Sequence, residues 1–145
     1  MASTTEQDLI AAAGGAERLD ELLSRPAPSG VADARAYWLA QAQTQADSRI
    51  DGYIPARYAT PLAAPSALVV RLAAEEAIFW LRETGGILTA ADVEGMTRRM
   101  TELRDIRDGK IWPGDPLPAQ STGRRSVFLA NGRRVNHTNL RRVLG

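Results

Sequence analysis

The side chains with the widest chemical reach are three arginine doublets, Arg124-Arg125, Arg133-Arg134 and Arg141-Arg142, whose starts lie nine and eight residues apart. A guanidinium presents two parallel N–H donors to a phosphate or a carboxylate, so a segment carrying such pairs suits a nucleic-acid backbone or an acidic protein face. Apolar residues are interleaved with the doublets: Val127, Phe128, Leu129, Val135, Leu140, Val143 and Leu144. That mixture favours docking on protein over loose electrostatic contact or simple solubilisation. Trp112 and Phe128 sit in the same non-helical part of the chain, away from any apolar stripe, and read as anchors for a partner surface. The expected partner-binding residues are therefore Trp112, Arg124, Arg125, Phe128, Leu129, Arg133, Arg134, Leu140, Arg141 and Arg142.

Catalysis is poorly supplied. His137 is the only histidine and there is no cysteine, so neither a thiol nucleophile nor a histidine or cysteine metal set can be assembled. The carboxylate pairs Glu75-Glu76 and Asp105/Asp108 read as solvated helix faces. Gly14-Gly15 and Gly85-Gly86 lack the order of a phosphate loop and fall where helices should stop. Asn136-His137-Thr138 matches a glycosylation acceptor by chance, since Met1 to Glu6 has no secretory character. No apolar run approaches the roughly 20 residues that span a bilayer. The expectation is a soluble protein of a reducing cytoplasm, with no catalytic residue, no metal, no cofactor and no membrane contact.

The elements that must position these residues are mostly helical. Ser3 and Glu6 have capping-box spacing before a short helix, Gln7 to Ala13. A second helix, Ala16 to Ser24, carries Leu19, Leu22 and Leu23, and Arg25-Pro26-Ala27-Pro28 breaks it. From Ala32 to Tyr53, the residues Ala34, Trp38, Ala42, Ala46, Ile50 and Tyr53 form one stripe of a long amphipathic helix. Three prolines between Ile54 and Pro65 demand an irregular connection. Ser66 then caps Ala67 to Glu83, which is apolar over most of its circumference and is the expected core helix. Thr89 and Asp92 open a last helix to Asp108, with Val93, Met96, Met100, Leu103 and Ile106 expected inward. The helical spacing of Tyr37, Trp38, Tyr53, Tyr58, Phe79 and Trp80 makes them core residues, not a base-stacking platform. The fold class is all-α: a bundle of about five helices over residues 1–110, followed by an extended basic arm over 111–145. Within the arm, Asn131-Gly132 between Val127-Phe128-Leu129 and Arg133-Arg134-Val135 signals a hairpin.

Charge divides at the same place. Residues 1–109 hold 11 basic and 16 acidic side chains, a net charge of −5. Residues 110–145 hold seven basic side chains and the single acid Asp115, a net charge of +6. Opposite fields on two parts of one chain point to assembly, through the arm docking on an acidic surface. The competing reading is a small nucleic-acid-binding module whose doublets grip phosphates.

Ile50-Asp51-Gly52-Tyr53, followed by Ala56-Arg57-Tyr58 and Pro61-Leu62, resembles the Mu-like prophage family of small head-tail joining proteins. The closing phrase Leu103-Arg104-Asp105-Ile106-Arg107-Asp108-Gly109-Lys110 agrees, and the resemblance spans about residues 32 to 112. It implies a head-completion connector of the virion neck, present in the host cytoplasm during assembly. Such a connector forms a ring of copies, dodecameric on the portal protein, that joins the head to a stopper or tail-completion protein. Double-stranded DNA would pass through it without sequence specificity. The motif residues Asp51, Gly52, Tyr53, Arg57, Tyr58 and Pro61 carry structural roles in this reading: Gly52 ends the helix, the tyrosines pin the proline-rich loop, and Asp51 pairs with Arg57 across it.

Overall fold

The computed structural model describes residues 4–56, 58–60 and 62–114. The proposed hairpin around Asn131-Gly132 and all three arginine doublets lie outside these residues. Five helices, α1 (Glu6–Ala13), α2 (Ala16–Leu23), α3 (Ala34–Asp51), α4 (Ala67–Thr84) and α5 (Ala90–Arg107), make up the regular structure, with no strand among the described residues.

Helix starts follow from short polar side chains that satisfy the first free N–H groups. Asp33 caps α3 through Ala36 N, and Ser66 caps α4 through Val69 N. At α5, Thr89 and Asp92 close a reciprocal capping box. The first helix departs from the Ser3/Glu6 expectation: Thr5 is the N-cap and Asp8 completes its box, accepting from the Thr5 N–H at 2.8 Å. A box needs its carboxylate at the third helical position; with the helix starting at Glu6 that position is Asp8. Glu6 is thereby left to bind Arg35 on α3. Helix α4 ends at the expected glycine pair, where Gly86 takes φ +69° and Ile87 N–H returns to the carbonyl of Arg82 at 3.0 Å.

Helix α4 is the axle of the bundle. Its Ala74, Ala77, Ile78 and Leu81 enter one core cluster with Leu9, Leu19, Leu22, Leu23, Ala42 and Ala46 from the first three helices. Its Val69, Leu72 and Ala73 enter a second cluster with Ile50, Ile54, Leu103 and Ile106. A helix buried on this many sides must be apolar almost all round, as its sequence is. Arg25, in the break after α2, locks the far end. Its guanidinium donates to the carbonyls of Leu22 and Leu81 and to Thr84 Oγ1, lies 5.1 Å from the Trp38 ring centre, and its own carbonyl accepts from Trp38 Nε1 at 3.2 Å.

Helix α5 differs from expectation on its inward face. Leu103 and Ile106 are buried as expected, Met96 and Met100 are half-buried, and Val93 is 47% exposed. The buried residue missing from the expected list is Arg99. At about 100° per residue, Val93 falls roughly a third of a turn from the line of Arg99, Leu103 and Ile106, so burial of that line turns Val93 outward. Past α5 the chain doubles back onto the bundle: Pro113 is buried, and its carbonyl accepts from Ser66 N–H at 2.8 Å. Gly114 follows at φ +153°, where a Cβ would stand 2.5 Å from the Ala64 carbonyl oxygen, so no other residue fits.

Leu72→Ala, which empties the centre of the second cluster, is expected to cost about 2–5 kcal/mol in urea denaturation. Val93→Ala on the outward side of α5 should stay within about 0.5 kcal/mol.

Candidate functional site

The family-motif stretch begins where α3 runs out. Gly52 caps α3 in a helical conformation, and the chain turns through Tyr53 and Ile54. Tyr53, Tyr58 and Leu62 pack against the second core cluster, and the Tyr53 hydroxyl reaches the Met100 sulfur on α5 at 3.8 Å. Ile54 is buried in the same cluster. Arg57 and Pro61 lie outside the described residues, so the proposed Asp51–Arg57 pair does too. A Cβ at Gly52 would make only ordinary contacts with the carbonyls of Arg49 and Ser48.

Asp51 is held at an unfavourable position. Partial burial, followed by the charge of Asp47 one turn earlier, raises its pKa from the ordinary value. It is also the last residue of α3, next to the negative end of the helix dipole. Burial, the Asp47 charge and the end of the helix dipole all disfavour the ionised form of this carboxyl.

Above this stretch lies a buried ion network. Glu76 on α4 is 4% exposed; one carboxylate oxygen accepts from Arg49 Nη1 on α3, and the other from Arg99 Nε on α5 at 3.3 Å. Glu83 stands 3.6 Å from the second Arg49 nitrogen. The Arg99 guanidinium lies 5.1 Å from the Phe79 ring centre. The reading of Glu75-Glu76 as a solvated pair therefore holds for neither residue as a pair: Glu76 is interior, while Glu75 is half-buried against Arg71 at 3.0 Å. An acid at an otherwise apolar helix position, with arginines on both neighbouring helices, was the signal available in the sequence. Asp105 and Asp108 remain surface groups, bound to Lys110 at 3.2 Å and Arg107 at 3.3 Å.

Of the expected partner-binding residues the structure describes one, Trp112, which is 59% exposed beside the buried Pro113. The other nine, Arg124 to Arg142, lie outside the described residues. Of the aromatics expected in the core, Phe79 is buried, Trp38 and Trp80 are half-buried against the first cluster with rings 6.3 Å apart, and Tyr37 is half-buried, edge-on to Trp38 at 5.1 Å and in neither cluster. Among the described residues no group of acids and histidine is placed to hold a metal ion, and no helix is long and apolar enough to cross a membrane.

Two outcomes follow. Glu76→Ala leaves Arg99 buried without its counter-charge and should destabilise the fold by about 3–5 kcal/mol in chemical denaturation. Asp51→Asn should raise the melting temperature at pH 7. Its folded pKa is raised, so the ionised carboxylate opposes folding above that pKa, and the advantage of the amide should fade as pH falls toward 4 and the wild-type carboxyl protonates in both states.

A search of curated proteins finds no match to this chain. Comparison with protein-family models matches residues 4–129, well over half of the sequence, to the family described as Bacteriophage Mu, Gp36. That span holds all five helices, the Asp51-Gly52-Tyr53 turn, the Glu76 network and the first arginine doublet. The chain belongs to the Bacteriophage Mu, Gp36 family of phage proteins.

Proposed function

We propose that this chain is a non-enzymatic head-to-tail connector of a tailed phage: an adaptor that forms a ring beneath the portal, joins the DNA-filled head to the stopper or tail, and lets DNA through. The observation that carries the reading is the family match across residues 4–129, joined to the resemblance of the Ile50–Leu62 stretch to head-tail joining proteins. The physical character of the chain supports it. The helical part has a surplus of acidic side chains, a net charge of −5 over residues 1–109, and a surface of that sign does not hold a phosphate backbone. The segment from residue 110 carries +6 with interleaved apolar residues, the composition of an arm that docks on a portal subunit or on the next copy. A subunit with different flanks repeats head to tail, and closes to a ring when its rotation closes. The neck of the virion is the site of action in this reading.

The test is genetic. Because Pro113 and Gly114 pack on the helical body, the arm is removed by deleting residues 115–145, leaving the bundle intact. Phage carrying that deletion are expected to accumulate DNA-filled heads and separate tails, with a loss of infectious titre of at least about a hundredfold, the effect of losing about 3 kcal/mol of docking energy. A normal titre would overturn the arm's role. Normal virions from a phage lacking the whole chain, combined with steeply salt-dependent DNA binding by the purified protein, would replace the connector reading with a nucleic-acid-binding one.

A further inference from the structure

Helices α1 and α4 leave an apolar groove of about 580 Å³ between them. Its walls carry short side chains, Ala11 and Ala12 from α1 and Ala67, Val70 and Ala74 from α4. Ala74 is buried, Ala12 and Val70 are half-buried, and Ala11 and Ala67 are exposed, so the groove is reachable from outside. The rim is acidic. Asp8 bonds to Thr5 and to no cation among the described residues; the Thr5 N–H and hydroxyl hold its carboxyl below the ordinary pKa, and it stays charged at neutral pH. Arg71 is shared between Glu75 at 3.0 Å and Glu102 at 2.8 Å. Three carboxylates therefore stand against one guanidinium.

An apolar groove with a negative rim suits an extended segment that sets apolar side chains between cations. This chain holds such a segment: Val127-Phe128-Leu129, with Arg124-Arg125 on one side and Arg133-Arg134 on the other. The groove of its own body is badly placed for it. Gly114 is paired with Pro65, just before Ala67. From Ala67 to Glu75 the groove runs about 12 Å along α4, a length that an extended chain covers in about four residues. Residues 115–118 hold the acid Asp115 and no arginine. Val127 comes far enough after Gly114 for a reach of up to about 45 Å, against about 27 Å for the whole of α4. The basic apolar stretch has the length to meet a second body.

We propose that the α1–α4 groove receives residues 124–134 of a neighbouring copy, with Phe128 and Leu129 seated between the alanines and the flanking arginines on Asp8 and Glu75. The inference rests on the connector reading. It gives each copy one donor segment and one acceptor groove, the heterologous contact from which a ring is built.

The sequence has no cysteine, so single introduced cysteines report contact without background. Full-length Ala11→Cys and full-length Ala130→Cys, one of them carrying an affinity tag, are mixed and oxidised. The products are read by non-reducing electrophoresis and by mass spectrometry of the linked peptides. A tagged-to-untagged dimer joined through positions 11 and 130 is expected, increasing with protein concentration. Ala40→Cys, exposed on α3 and outside the groove, should link to Ala130→Cys about tenfold less. Arg124→Glu with Arg125→Glu, and separately Phe128→Ser, should each slow the 11–130 link about tenfold. These arm substitutions leave every residue of α1 to α5 as it is, so a lost link is not a lost fold. Equal linking at positions 11 and 40, or a rate unchanged by the arm substitutions, would overturn the proposal. In the double variant Ala11→Cys/Ala130→Cys, disulfide-closed monomers in place of dimers would overturn the assignment to a neighbouring copy. Absence of any 11–130 link overturns the groove as acceptor, whereas the connector reading stands or falls on the phage deletion, so the two failures are distinguishable.

Discussion

One buried carboxylate holds the three long helices in register. Glu76 sits at the middle of α4, between the two apolar clusters, and takes an arginine from α3 on one side and an arginine from α5 on the other. Hydrophobic burial brings helices together but leaves them free to slide and rotate, whereas two charge-assisted hydrogen bonds from opposite neighbours accept only one arrangement. The consequence is visible in α5. Its apolar stripe alone is weak, and the inward turn of Arg99 selects which of its faces is buried and sends Val93 outward.

The pattern of legibility follows from the kinds of force involved. Alternation of apolar residues at helical spacing made α2, α3 and α4 readable, because burial depends on hydrophobicity that each residue carries with it. Thr89/Asp92, Ser66 and Gly85-Gly86 were readable because caps are local chemistry. The Glu76–Arg99 pair was not, because the same letters describe a solvated helix face until a long-range contact buries them; the partners lie 23 residues apart. The shift of the first cap from Ser3 to Thr5 had a smaller cause: two overlapping pairs share the same three-residue spacing, and the helix uses the one that frees Glu6 for Arg35. At the candidate site, the packing of Tyr53 and Tyr58 on the bundle could be placed from sequence. The role of Arg25 as a clamp on the end of α4 could not, since nothing local marks an arginine in a proline-rich break as a partner for carbonyls on another helix.

These features describe a small body built for rigidity in its interior and for contact at its edges. The interior is fixed by the axle helix, the Glu76 network and the Arg25 clamp. The edges carry exposed apolar side chains, Ile87, Leu88 and Val93 around the α4–α5 turn and Trp112 beside the buried Pro113. In the proposed connector role, a subunit that repeats around an axis and carries the attachment of a tail would need this combination, since any internal play would be multiplied around the ring. In the connector reading, the charge division between residues 1–109 and 110–145 gives a body that does not hold DNA and a segment suited to an acidic protein face.

The most direct measurement is cryo-electron microscopy of virions produced from the genome that encodes this chain, with the capsid vertex reconstructed at side-chain resolution. The connector reading expects a ring of this five-helix bundle between portal and tail, with residues 115–145 of each copy inserted into a neighbour or a portal subunit. A vertex in which portal and tail are joined without any density for this bundle would contradict it.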